Sequence, residues 1–297
     1  MRVLTIGSIN LDHVLTVDHL VRPGETLAAG GYARAAGGKG LNQSIAAARA
    51  SARVAHAGII GHEGAFLRDL MAEAGCDVSL VRERDVPQGA AYIQVDARTG
   101  ENSIVIVAGS NAAVTPAFAD EALDTVGAGD VVLLQNEVAS MPHILSACAE
   151  RHIPVILNPA PYTPEIGAAD LSAVSWLVVN EVELALMTGT GDADEAMRWL
   201  ERRAPGASLL VTLGSKGCLA LTGDGTFRQA ARRVAAVDTT GAGDTFIGYF
   251  LAGLAEGKDV PGCLELATAA AAIAVSRPGA APSIPWRIEV DELLGSS

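Results

Sequence analysis

Val237-Asp-Thr-Thr-Gly-Ala-Gly-Asp-Thr-Phe246, running into Ile-Gly-Tyr-Phe-Leu-Ala-Gly-Leu-Ala-Glu-Gly257, is the stretch on which the reading turns. Gly241, Ala242 and Gly243 let the backbone turn tightly and approach a ligand without side-chain obstruction. The apolar run behind them reads as a helix, so its unpaired N–H groups and positive dipole end point back at the loop. Such a place suits phosphate oxygens that carry charge in a transition state. Asp244, in the first turn, is placed to take a proton from an attacking hydroxyl. The motif alone also reads as a Gly-rich turn with an ordinary Asp cap. The chain carries its own control. Asp124-Thr-Val-Gly-Ala-Gly-Asp130 nearly repeats the motif, but the strand-like Val131-Val-Leu-Leu-Gln135 follows it. No helix start faces that second loop, so Asp130 is expected to be a turn residue.

Outward from the motif, short apolar runs alternate with Ala-rich helical stretches. Val3–Ile9, Val131–Gln135, Val155–Leu157, Trp176–Val179 and Leu209–Leu213 read as buried strands. Helices are expected from about Gly40 to Ala50 and over His143–Arg151, Glu181–Met187 and Ala193–Arg203. Strands recurring between helices imply βαβ units, hence an α/β fold with a doubly wound, mostly parallel sheet flanked by helices. Two regions break the rhythm. His13–Tyr32 holds two alternating strands around Arg22-Pro-Gly-Glu25, and Ala90–Ala108 reads as a hairpin turning at Ala97–Gly100. Alternation implies one wetted face, so these pieces are expected to form a small sheet beside the main one. The whole chain, 1–297, is expected to be one domain, with this small sheet inserted at about 13–36 and 90–108.

Composition narrows the partners. The 297 residues include 34 Asp and Glu against 21 Lys and Arg, a formal net charge of −13. Nucleic-acid binding rests on a surplus of phosphate-neutralising cations, so that class is excluded, and with it attachment to a membrane by a basic patch. No apolar run approaches the ~20 residues of a membrane span, and the N-terminus lacks a signal-peptide pattern. Cys76, Cys148, Cys218 and Cys263 form no C-x-x-C pair and read as reduced, buried thiols of a cytoplasmic protein. Lys occurs only at 39, 216 and 258, so each is more telling than usual. None of the six His falls in a metal-binding spacing.

Four further segments could carry chemistry. Gly37-Gly-Lys-Gly-Leu-Asn-Gln43 opens a helix and brings backbone donors, Lys39 and Asn42 together, a set suited to a polyol or to a sugar plus a phosphate. It is neither a Walker A loop nor a dinucleotide fingerprint, and it also reads as a glycine helix start. Gly7-Ser-Ile-Asn-Leu-Asp12 follows the first strand, where ligands of parallel sheets gather. Asn10 and Asp12 share one face of an extended segment and make a hydroxyl clamp or a turn cap. Asn180-Glu-Val-Glu183 is a capping box, or a group holding Mg2+ through water. Thr212-Leu-Gly-Ser-Lys-Gly217 is a Gly-rich turn after a strand, fit for nucleotide phosphates or ribose.

GSINLDHV, RPGET, GGKGLNQ, NPAP, NEVE, TLGSKG, VDTTGAGDTF and AAAAIAVSRPGAAPSIPW occur in one order across residues 7–286. In that order the chain resembles the ribokinase-like (PfkB) carbohydrate kinases, and most closely the ribokinases among them. The resemblance implies a doubly wound α/β fold with a small β-sheet lid that often doubles as a homodimer interface. It implies Asp244 as general base toward the sugar's terminal hydroxyl, with Gly241, Ala242 and Gly243 as anion hole. It places ribose against Asn10, Asp12, Gly38, Lys39, Asn42, Glu137 and Asp244. ATP would meet Asn180, Thr212, Gly214, Ser215, Gly217 and Gly243, with Glu183 organising Mg2+. A potassium site is implied at Asp238, Thr240, Ala274, Arg277, Gly279 and Ser283, largely through backbone carbonyls. Phe66 stands where the family usually has Gly, and Thr268 where His or Asn is frequent beside the adenine.

The expected activity is therefore ATP-dependent phosphorylation of the 5-hydroxyl of ribose. Two alternatives stand beside it. One is a kinase for another acceptor such as 2-deoxyribose, a nucleoside or a different sugar. The other is a sugar-binding regulator without turnover.

Overall fold

The computed structural model describes residues 1–295. In chain order, β1 (Arg2–Ile6) passes through a short turn into β2 (Asn10–Val17), and β3 (Gly31–Gly37) runs into α1 (Lys39–Arg49). Then come β4 (Arg53–Ile60), α2 (Ala65–Glu73), β5 (Asp77–Glu83), β6 (Ala90–Asp96) and β7 (Asn102–Val107). The middle of the chain forms α3 (Pro116–Leu123), β8 (Val131–Gln135), α4 (Met141–Glu150), β9 (Val155–Asn158) and α5 (Pro164–Ala168). It continues with β10 (Val174–Asn180), α6 (Glu181–Thr188) and α7 (Ala193–Glu201). The last third holds β11 (Ser208–Thr212), β12 (Cys218–Thr222), β13 (Gly225–Gln229), α8 (Ala242–Ala255), α9 (Val260–Val275) and α10 (Arg287–Gly295).

The large sheet has nine strands in the order β13-β12-β11-β10-β9-β8-β1-β4-β5. It is parallel from β5 to β11, with the β12–β13 hairpin added antiparallel at one edge. Both faces are covered, which the central strands show residue by residue. Val3, Leu133, Ile156 and Val178 pack against α1, α8 and α9. Their neighbours Leu4, Leu134, Leu157 and Val179 pack on the other side against α3, α4 and α7. This two-sided burial is why the strands read as continuous apolar runs.

Chain order reverses direction between β1 and β8, so a crevice opens at the carboxyl ends of those two strands. Val3–Ile9 does not continue as one strand, because β1 stops at Ile6. The chain bends at Gly7, where a β-carbon would lie 2.5 Å from Gln135 Oε1 and 2.8 Å from Gly40 Cα. The segment then leaves the large sheet and starts the small one at Asn10. Asp130 closes the second Gly-rich loop as a turn, accepting Gly127 N–H at 3.0 Å and Arg2 N–H at 2.8 Å.

The small sheet has the order β3-β2-β6-β7. Its first strand begins at Asn10, earlier than the alternating pattern suggests, because Asn10, Leu11 and Asp12 are all buried and show no alternation. β7 differs more. Every residue of it is exposed, with Ile104, Val105, Ile106 and Val107 between 45% and 61% accessible, so neither face of this edge strand is covered.

α1 and α8 cross in close contact because both present small residues at the crossing. A β-carbon on Gly248 would lie 2.4 Å from Ala46 Cβ and 2.6 Å from Ala47 N. That approach sets the amino-terminal turn of α1 beside the amino-terminal turn of α8. No helix among the described residues is long and apolar enough to cross a membrane. The four cysteines are buried and unpaired.

Candidate active site

Asp244 sits in the first turn of α8, half-buried, with Gly241 as the residue before the helix. Gly241 has φ 72°, and a β-carbon there would come within 3.0 Å of Ala280, so the left-handed turn and the close approach both call for glycine. Both oxygens of the Asp244 carboxylate receive amide donors from α1. Asn42 Nδ2 donates to Oδ2 at 3.1 Å and Gln43 Nε2 to Oδ1 at 2.9 Å.

The amino-terminal end of α1 enters the site through Gly37 and Gly38. A β-carbon at Gly37 would overlap the Asp12 carboxylate, 2.0 Å from Oδ2, and Gly38 has φ 91° with a β-carbon position 2.9 Å from Asn10 N. Lys39 N–H donates to Glu137 Oε2 at 3.0 Å, and Ser8 Oγ–H donates to the same oxygen at 2.5 Å. Burial alone would lower the Lys39 pKa. The carboxylates of Asp244, Glu137 and Glu183 outweigh it and hold the ammonium above its ordinary value. Burial also pushes Glu137 up, against the pull of Lys39 and the Ser8 bond.

Asn10 and Asp12 lie two apart on β2, as their spacing predicts. Asn10 Oδ1 accepts Asn111 Nδ2–H at 2.6 Å, which leaves the Asn10 amide nitrogen as the group free to donate. Asp12 Oδ1 and Asn42 Oδ1 are buried acceptors without a partner. Burial, reinforced by Glu137 and Asp244, pushes Asp12 up to about 7.

Two cavities meet at this point. One, of about 210 Å³, is lined by Lys39, Asn158, Asn180, Glu183, Gly241, Gly243 and Asp244 among others. The other, of about 370 Å³ and mostly apolar, is lined by Thr212, Gly214, Ser215, Gly217, Ala242, Phe246, Thr268 and Ala272 among others. Thr212 and Gly243 border both. Asn180 and Glu183 form a complete capping box, Asn180 Oδ1 accepting Val182 and Glu183 N–H while Glu183 Oε2 accepts Asn180 N–H at 2.9 Å. They line the smaller cavity as well, so the cap and the site use the same residues. Thr268 borders the apolar cavity and contacts Cys218 Sγ at 3.9 Å. Phe66 is 46% exposed on α2 and lines neither cavity.

Of the expected cation residues, Asp238, Thr240 and Gly279 are joined by hydrogen bonds, and Ala274 and Arg277 by another. Asp238 Oδ1 accepts Thr240 N–H and Oγ1–H at 2.9 and 2.7 Å, and Oδ2 accepts Gly279 N–H at 2.8 Å. Arg277 N–H caps Ala274 O at 3.1 Å, while its guanidinium pairs with Glu289 at 2.5 Å. Ser283 Oγ–H donates to Ala280 O at 2.8 Å.

Several site residues escape the sequence reading. Gln43, Gln135 and Asn158 form a buried amide chain that ends on Asp244. Gln43 lies in the quoted GGKGLNQ and Asn158 opens NPAP, so a signal existed for both. Ser8 lies in the quoted GSINLDHV, whereas Asn111 carries no such mark, since it acts through Asn10 and the Ile9 N–H.

A glycine-rich helix start, a lysine and a carboxylate converge where a polar cavity meets a larger apolar one. That arrangement, on this fold, is that of a phosphotransferase acting on an alcohol. The chain belongs to the pfkB family of carbohydrate kinases, whose family model matches residues 1–287. It is 36% identical over 297 residues to the ribokinase of Bacillus subtilis, covering 98% of this chain and 99% of that one. A crystal structure of Cryptococcus neoformans ribokinase in complex with ADP superposes with a TM-score of 0.85 at 33% identity, covering 98% of each chain. The structure of Arabidopsis thaliana ribokinase complexed with ribose and ATP gives 0.84 at 30% identity, over 100% of this chain and 99% of that one.

Asp12 links the site to stability. Unfolded, its carboxyl ionises near 3.8; folded, near 7. The folded state therefore carries a penalty that is absent below the lower value, grows between the two and is complete above about 7. Asp12→Asn removes it. The variant is expected to unfold several degrees above the parent near neutral pH, with the gap shrinking toward about pH 4. Thermal melts across that range read the effect, and a gap independent of pH would contradict it.

Proposed function

We propose that this chain transfers the γ-phosphoryl group of ATP to the 5-hydroxyl of D-ribose, giving ribose 5-phosphate and ADP. The observation that carries the reading is the pair of buried acceptors without partners, Asp12 Oδ1 and Asn42 Oδ1, close to the Asp244 carboxylate. An unmet buried acceptor costs on the order of 1–3 kcal/mol. A polyol supplies the O–H donors that both lack. The Arabidopsis relative's complex with ribose and ATP supports the choice of substrates.

In this reading Asn10, Asp12, Gly38, Lys39, Asn42 and Glu137 hold the sugar with its primary hydroxyl toward Asp244. Asp244 takes the hydroxyl proton as the oxygen attacks the γ-phosphorus, and the bond to the ADP oxygen breaks with its electron pair leaving on ADP. Lys39 and the first-turn N–H groups at Gly241–Gly243 meet the negative charge on the transferring group. The apolar cavity takes the adenine, and Asn180, Thr212, Gly214, Ser215 and Gly217 take the ribosyl and phosphate portions.

Mg2+ on the nucleotide phosphates supplies charge neutralisation when bound. Glu183 suits it through water, because both of its oxygens already accept N–H bonds from Asn180. A K+ ion, when bound, would supply a fixed positive charge near the Gly241–Gly243 loop. The Asp238 carboxylate, Thr240, the Ala274 carbonyl at the negative end of α9, Arg277, Gly279 and Ser283 offer an oxygen-rich set for it. The Arg277 guanidinium is drawn off by Glu289.

We also propose a homodimer through the small sheet, which the uncovered apolar edge β7 supports, since such an edge in a free monomer invites pairing. The buried, unpaired cysteines suit a cytoplasmic setting.

An acceptor screen in an ATP/ADP coupled assay tests the main reading. Ribose is expected among the best substrates, ahead of 2-deoxyribose and nucleosides. A different best acceptor moves the substrate assignment, and absence of any turnover favours the sugar-binding regulator. Asp244→Asn should lose at least ~10²-fold of kcat with the fold intact; near-normal turnover would remove it as the base. Replacing K+ with tetramethylammonium should lower kcat severalfold, and an unchanged rate would discard the potassium site. Sedimentation equilibrium should show a dimer that Ile106→Asp dissociates; a parent that sediments as a monomer would refute the interface.

A further inference from the structure

Resting on Asp244 as the proton acceptor, we propose that Gln43 is the positioning residue for its carboxylate, and that Gln43 is itself oriented by the backbone carbonyl of Val178. The two amides on Asp244 are not equivalent. Asn42 donates to Oδ2, but its own Oδ1 has no partner, so only the carboxylate decides which way that amide faces.

Gln43 is held from the other side. Val178 O can only accept, so Asn158 must turn its Nδ2 toward it, at 2.9 Å. Asn158 Oδ1 is then an acceptor, and Gln43 Nε2 donates to it at 3.2 Å. Gln43 Oε1 consequently faces Gln135, whose Nε2 donates to it at 2.7 Å. The second Gln43 N–H goes to Asp244 Oδ1 at 2.9 Å. Turning the Gln43 amide over would break all three of its bonds and set like against like at Asn158 and Asp244; Gln135, whose Oε1 has no other partner, can turn with it. Gln43 and Gln135 are fully buried and Asn158 nearly so, where an unmatched polar group is costly.

The direction of the chain is thus fixed by a main-chain carbonyl that carries no proton and changes no charge. Gln43 offers Asp244 a donor both before and after the carboxylate takes the hydroxyl proton. With one oxygen fixed by this chain and the other met by Asn42, the carboxylate plane is set and its remaining lone pairs are left for the acceptor. Orientation of this kind acts on the chemical step, because a small misplacement of a reacting group slows it far more than it weakens binding.

The test is Gln43→Met, which keeps the bulk of the side chain and removes its N–H. Its kcat should fall by about tenfold or more, while KM for ribose and for ATP stays within about twofold. In an Asp244→Asn background the same substitution should change the residual kcat by less than about twofold, since the group it positions is gone. Gln135→Met frees Gln43 Oε1 without touching Asp244 and should show the same pattern more weakly. It decides the matter by the same criteria if Gln43→Met does not fold. An unchanged kcat, or an equal fall in both backgrounds, overturns the proposal in favour of a packing role. Wild type run in parallel keeps the two readings apart. Failure to phosphorylate any acceptor sinks the proposed function, whereas an active wild type matched by Gln43→Met sinks only the role of Gln43.

Discussion

The structure depends on the close crossing of α1 over α8. Gly248 and Ala46 leave no room for another carbon between the helices. This contact brings two helix starts, about two hundred residues apart in the chain, to one place. One start brings Lys39, Asn42 and Gln43, the other Gly241 and Asp244. Each start presents a positive dipole end, and at α1 the first N–H groups are met by Glu137 and Ser8, which helps to explain why several carboxylates can gather there. The carboxylates in turn hold Lys39 charged against its burial. Separated, the two helix starts would leave Asp244 without its donors and Lys39 with one carboxylate fewer.

The sheet order explains why other groups come to the same spot. β1 and β8 lie side by side at the reversal of strand order, so Ser8 and Asn10 from one and Gln135 and Glu137 from the other emerge together. The central parallel strands give a rigid frame buried on both faces. The net charge of −13 does not by itself decide whether an anionic substrate binds, because Lys39 and the dipole ends of α1 and α8 offset nearby carboxylates locally. Net charge speaks to macromolecular partners and says little about a buried site.

Much of this was legible in the sequence, and the reasons differ by element. Parallel strands buried on both faces advertise themselves as apolar runs, and GAGD followed by a helix separated itself from GAGD followed by a strand. Asn10 and Asp12 were readable from their spacing. The break at Gly7 was not, because it arises from Gln135 and Gly40, distant in the chain. Exposure of β7 on both faces was hidden for a related reason: alternation assumes a covered face, and Asn102–Val107 has none. The amide chain through Gln135 was illegible because an uncharged buried amide at the end of an apolar strand leaves no local pattern. Asn111 is similar, acting on Asn10 across a hundred residues of chain.

β2 belongs to the small sheet, whereas Asp244, the anion loop and both cavities belong to the large one. In the proposed reaction the acceptor contacts at Asn10 and Asp12 therefore come from a different sheet than the phosphate contacts, with Lys39 shared between them. Substitutions along β2 can change which alcohol fits while the transfer machinery stays intact. A scaffold divided in this way can acquire new acceptors by small steps, each keeping a working phosphate end, and the same division offers a route for redirecting it in the laboratory.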